Sequence, residues 1–145
     1  MSAETVFSIA NLTALSGWLV LALGIILRRP LLHHVLAGLA WPIALSVLYS
    51  ALIIFFFADA PGGFDSLANV KLLFSSDWAA LAGWVHYLAF DLFIGAWIAR
   101  QVLAQGLPRL ILMPLLPLTF LFGPAGFLAW HATRLALSRS TASSN

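Results

Sequence analysis

AALAGWVHYLAFDLFIGAWIARQVL, from Ala79 to Leu103, is the stretch that decides the fold. At 1.5 Å per residue a helix over it is about 36 Å long, more than the ~30 Å of a bilayer's hydrocarbon core. Lipid offers an open backbone no hydrogen-bond partner, so the stretch predicts a membrane-crossing helix. It is long and continuous rather than short and alternating, which excludes a barrel strand. Ser75-Ser76-Asp77 before it reads as an N-cap.

Working outward, three further apolar stretches are long enough to cross. They run from about Val6 to Leu27, from about Val35 to Ala58 and from about Ile111 to Leu135. The first stops at Arg28-Arg29-Pro30, and the second ends in the turn Asp59-Ala60-Pro61-Gly62-Gly63. Met1 to Thr5 contain no Lys or Arg, so the first stretch is expected to be a retained helix rather than a cleaved signal. Leu67 to Phe74 has the pattern of a short helix in the membrane interface. The predicted fold is all-α: an integral membrane four-helix bundle with that short interfacial helix between spans two and three and a Pro-kinked fourth span. Residues 1–137 form one transmembrane domain, and the polar tail over residues 138–145 is expected to be disordered.

Composition agrees. Of 145 residues, 62% are hydrophobic and 8% charged, against roughly 25% charged in soluble domains, which excludes a water-soluble globule. The net charge of +2 comes from seven Lys and Arg spread along the chain, so no basic patch for nucleic acid forms. The absence of Cys excludes disulfides, haem c attachment and Cys-ligated clusters. The basic residues read as topology markers. Arg28 and Arg29 lie in the first connection and Arg100 and Arg109 in the third, while the second holds Asp59, Asp65 and Asp77 beside Lys71. With the first and third connections inside, four crossings place both termini on the non-cytoplasmic side, against the weaker pull of Arg134 and Arg139.

An ionisable group at membrane depth costs at least about 2.5–3.5 kcal/mol and needs a reason. Asp91 lies about 18 Å along its helix from Ala79; it is expected to carry or share a proton, or else to bond a neighbouring helix. His86 is about 7.5 Å nearer the outer surface and points about 140° away on the same helix, so the two could only line two sides of a cavity. Tyr87 stands four residues before Asp91 and is its better local partner, with Trp84 one turn further out; Phe90 follows His86 on the other stripe. Asn11 in the first span and Tyr49 in the second are candidates for a polar network with them. His131, expected near the outer end of the fourth span at a depth like that of His86, makes a bis-His haem or metal site an alternative to an interfacial histidine beside Trp130. Gly123, Pro124 and Gly126 predict a bend in the fourth span near the depth of Asp91, lining a cavity or serving as a tolerated packing kink.

Leu73-Phe74-Ser75-Ser76 followed by Trp84-Val85-His86-Tyr87-Leu88-Ala89-Phe90-Asp91-Leu92-Phe93 resembles the signature of the abscisic-acid-deficient-four-like family, whose plant members are neoxanthin synthases. Weaker matches are Val47-Leu48-Tyr49 and Gly123-Pro124, so the resemblance covers roughly Val6 to Leu135. Members commonly carry a basic residue shortly after D-L-F, whereas here the first is Arg100. The resemblance implies binding or isomerisation of a carotenoid-like isoprenoid lipid, without a redox cofactor, in an intramembrane cavity. His86 and Asp91 would be the catalytic acid/base pair, and Trp84, Tyr87, Phe90, Tyr49 and Asn11 would contact the substrate. It also implies a multi-pass protein whose partner is a membrane lipid or carotenoid; the short chain, with no plastid transit segment, is expected to belong to a bacterial inner membrane. A different class remains open: a non-enzymatic subunit packing through Gly17, Gly24, Gly38, Gly83 and Gly95 into a homo-oligomer or larger complex.

Overall fold

A computed structural model describes residues 1–142 of the chain. Helix α1 covers Ala3–Ile26, with the Ser2 hydroxyl accepting the Thr5 N–H at its start. The chain turns through Arg28, whose φ is 57°. The second membrane-length helix then begins at Pro30, a residue already set for a first helical turn. That start is one turn earlier than the hydropathy suggests, and it takes His33 and His34 into the helix. Leu31–Ala40 is wound wide, as a π-helix, and the Trp41 N–H bonds the Leu36 carbonyl five residues back. Regular winding resumes in α2, Trp41–Phe56. The expected short helix is present as α3, Leu67–Leu73, capped by Ser66; the third span is α4, Asp77–Ala104. Ser76 stands at the N-cap of α4 but its side chain makes no capping bond.

All described regular structure is helical, and four helical stretches are long and apolar enough to cross a membrane. Helix α4 is the axis of the molecule and packs against α1, the π-wound segment, α2 and α5. Small residues let its neighbours approach. A side chain on Gly95 would overlap the Trp18 ring, and one on Gly17 would overlap Leu92 and Trp41. Two apolar clusters result. One joins Ala10, Leu45, Leu52, Val85 and Leu88; the other joins Leu21, Ala37, Leu92, Ile98, Val102, Leu115 and the fully buried Trp130.

The fourth stretch, α5 from Leu112 to Ala142, is not one straight rod. At Phe122 the backbone leaves helical geometry, with φ −148° and ψ 65°. Beyond that point the chain doubles back on itself. A Cβ on Gly126 would collide with the backbone of Thr119, seven residues away and about 10 Å distant along an unbroken helix. Trp130 packs in one cluster with Leu112 and Leu115, and Leu135 and Leu137 line a crevice with Gln105 and Leu107, the residues that precede α5. The two legs are therefore antiparallel and meet at Phe122-Gly123. Pro124 explains the place: it has no N–H to return to the Phe120 carbonyl and disfavours helix in the residue before it.

The hairpin corrects three expectations. The fourth stretch enters and leaves at the same end, so the chain's two described ends lie at opposite ends of the molecule. Ser2 and Glu4 share a pocket with Asp77 at one, and Ser138 lies beside Gln105 at the other. The Arg134 and Arg139 that opposed the charge bias now join Arg28, Arg29, Arg100 and Arg109 at one end, with Glu4, Asp59, Asp65 and Asp77 at the other. Finally, the tail expected to be disordered from Ser138 is helical to Ala142, because the second leg continues past the apolar stretch. Residues 143–145 lie outside the described residues.

Candidate functional site

The reversal of α5 presses its tip against the middle of α4, at Asp91. This carboxyl is 5% exposed. A Cβ on Gly123 would fall inside it, so only glycine leaves room for an acid at this point. The Gly123 amide and the Tyr87 hydroxyl are the polar groups that face the carboxyl. Tyr87 Oη donates to the Leu121 carbonyl at 2.8 Å, with the Phe120 carbonyl at 3.2 Å as a second acceptor. These are carbonyls stranded by the break, so one phenol supplies what the interrupted helix lacks. One oxygen remains outstanding: Asp91 Oδ2 is buried with no hydrogen-bond partner. In a structure where nearly all buried polar atoms are paired, such an atom asks for a proton, a water or a ligand.

From Tyr87 the site continues toward the acidic end. Trp84 stacks on the Tyr87 ring at 5.2 Å, and its Nε1 donates to Asn11 Oδ1 at 2.9 Å. Phe7 of α1 lies 6.0 Å from Trp84. Above them opens a cavity of about 510 Å³ lined by Phe7, Trp84, Asp77, Leu81 and the first residues of α1. Asn11, Trp84, Tyr87, Asp91 and Gly123 thus form one continuous line between α1, α4 and the α5 tip.

The other sequence candidates lie elsewhere. His86 faces α2, its ring 5.5 Å from Tyr49 and 4.7 Å from Phe90. The 140° separation read from the helix is not closed by a shared cavity: α4 itself stands between His86 and Asp91. His131 is not at the depth of His86. The doubled-back α5 carries it toward the basic end, where it stacks on Trp97 at 5.9 Å and its Nδ1 meets the Phe127 carbonyl at 2.9 Å. The equal depth that a bis-His haem or metal site requires is therefore absent.

Two groups escaped the sequence reading. Thr119, fully buried, bonds the Leu115 carbonyl at 2.7 Å and forms the floor on which Gly126 sits. His33 and His34 stack edge to face at 4.5 Å where α1 ends and the π-wound segment begins. The signal for the second pair was visible: adjacent histidines behind Arg28-Arg29-Pro30, at the mouth of an apolar span.

A family model described as ABA DEFICIENT 4-like matches residues 5–130. The match includes Asp91, Tyr87 and both sides of the reversal at Phe122. No curated protein and no solved structure matches the chain.

Proposed function

The chain belongs to the ABA DEFICIENT 4-like family, and from that premise we propose that it binds a carotenoid-like isoprenoid within the membrane and isomerises it by acid/base chemistry at Asp91. The observation that carries this reading is the unpartnered Asp91 Oδ2, held at the tip of a helical hairpin beside a phenol. An isomerisation takes up no net proton. The carboxyl gives its proton to a substrate oxygen as a strained C–O bond opens, and the carboxylate so formed takes one proton from carbon as the new C=C bond forms, so that Asp91 ends protonated as it began. The Tyr87 hydroxyl beside it holds the carboxyl in position. Trp84, Phe7 and Asn11 would receive the polyene end beyond the reacting oxygen. His86, with α4 between it and the carboxyl, has no part in this step. The membrane arrangement that fits is a bundle of three crossings around α4, with the broken fourth helix dipping to mid-depth and the arginine end facing the cytoplasm.

The test is the pigment profile of a host that supplies the substrate. Asp91→Asn should lower conversion by about 10²–10⁴-fold, the usual worth of a positioned acid or base. Asp91→Glu should retain part of it, and His86→Gln should stay within a few-fold of wild type. Conversion that survives Asp91→Asn would remove the proposal.

A further inference from the structure

The opposite face of α4 carries a second feature that the acid/base reading does not use. Between α2 and α4 runs a lipid-facing groove of about 230 Å³, with Gly38, Pro42 and Ser46 on one wall and Phe90 and Phe93 on the other. At its basic end the Arg100 guanidinium lies over the Phe93 ring, 5.9 Å from the centroid. A Cβ on Gly38 would stand 3.2 Å from Arg100 Nη1, so the glycine leaves the guanidinium open to the groove. His34, exposed beside it, packs edge to face on the His33 ring at 4.5 Å. His33 is 4% exposed, and its Nδ1 is buried without a hydrogen-bond partner.

Among the described residues this assembly has no counter-charge. The chain's five acids are Glu4, Asp59, Asp65, Asp77 and Asp91, four near the far end and one facing α5. The cluster also sits where the second span begins, an end at which the helix dipole favours an anion. Two imidazoles and a guanidinium above a wide-wound helix start suit a phosphate, since a guanidinium forms paired bonds with phosphate oxygens. The groove is smaller than the roughly 300–1,000 Å³ of sites for drug-sized ligands, which fits one chain and not two. We propose that this crevice binds a single-chain membrane amphiphile by its phosphate headgroup, with Arg100, His33 and His34 around the phosphate and the chain lying along Phe93 and Phe90 between α2 and α4.

The test uses the full chain in a neutral detergent, with radiolabelled farnesyl phosphate as the probe. Wild type should bind it saturably. Binding should weaken at least tenfold in Arg100→Gln and, through a blocked groove, in Ser46→Phe, a lipid-facing position where a larger side chain leaves the core untouched. Arg139→Gln, at the same end but on α5, and Asp91→Asn, on the other face of α4, should bind as wild type does. That last variant separates this site from the acid/base proposal, which can fail alone. Equal binding in Arg100→Gln, or in Ser46→Phe if the arginine variant does not fold, would overturn the proposal. So would competition by phosphatidylglycerol at equal concentration, which would make the occupant an ordinary bilayer lipid. Equally effective competition by inorganic phosphate would leave the groove without a role and overturn it too.

Discussion

Of the chain's three reversals after α2, the first and the last are built in opposite ways. Between α2 and α4 it takes the whole of Phe57 to Ser76, with α3 inside, Gly62 at φ 82°, and the Gly63 N–H bonded to the Asn69 carbonyl at 3.3 Å. Its polar groups are met locally or by water. Within α5 the turn is made at one residue, Phe122, and the groups it frees are met by another helix: Tyr87 takes the stranded carbonyls and Asp91 faces the Gly123 amide. A turn in water can be long because solvent satisfies whatever the protein does not. A turn at membrane depth must be short, and every freed backbone group needs a protein partner. The acid at the candidate site is thus also part of what permits the fold there.

The sharpest way to break this comparison is to ask whether Phe122 reverses the chain at all. The chain contains no cysteine, so single introduced thiols report without background. In sealed vesicles, Gln105→Cys and Arg139→Cys should react with a membrane-impermeant maleimide from the same side, and Asp59→Cys only from the other. Four straight crossings predict instead that Arg139→Cys follows Asp59→Cys. That result would dissolve both the hairpin and the site at its tip.

Why the hairpin was hidden is a matter of what sequence patterns measure. Hydropathy records that Ile111 to Leu135 is apolar and long, and a hairpin whose two legs are both buried in lipid and protein has the same composition as one crossing. Pro124 and Gly123 stand directly after the non-helical Phe122, but a proline between apolar residues signals a bend, a break or a first helical turn with equal force. What distinguishes them is whether a partner such as Tyr87 stands ready for the freed carbonyls, and that is a tertiary fact. The pairing of Tyr87 with Asp91 was legible because four residues on one helix fix it. The company of His86 and Asp91 was not, since α4 is packed on several sides and either face could have held a cavity.

A smaller effect sharpens the comparison at the tip. Gly123→Ala places a methyl group inside the Asp91 carboxyl, and should cost about 3 kcal/mol, the upper range for overpacking. Gly63→Ala in the other reversal meets Asp65 Oδ1 at an ordinary 3.5 Å, and should change stability by no more than about 0.5 kcal/mol. Thermal unfolding in detergent compares the two. Adding Asp91→Ala to Gly123→Ala should recover part of the loss, because the clash needs both groups. A pair of independent, additive effects would show that the tip does not press on Asp91.

The smallest effect belongs to the reversal that faces water. Asp65 accepts from Asn69 Nδ2 at 2.8 Å, and that bond holds the carboxyl below its ordinary value. A carboxyl lowered on folding adds stability that is present above its unfolded value, about 3.9, and is lost as pH falls through the folded one. The group is fully exposed and the Ser66 cap on the Asn69 N–H persists at 3.2 Å, so the loss concerns the hold on α3 and leaves the membrane helices untouched. Amide protection factors in α3 should therefore fall between pH 6 and pH 3, while those in α4 stay constant. Asp65→Ala should show the low value at both pH values. An α3 that loses protection in acid equally in Asp65→Ala would mean that this turn, unlike the one at Phe122, owes nothing to its carboxylate.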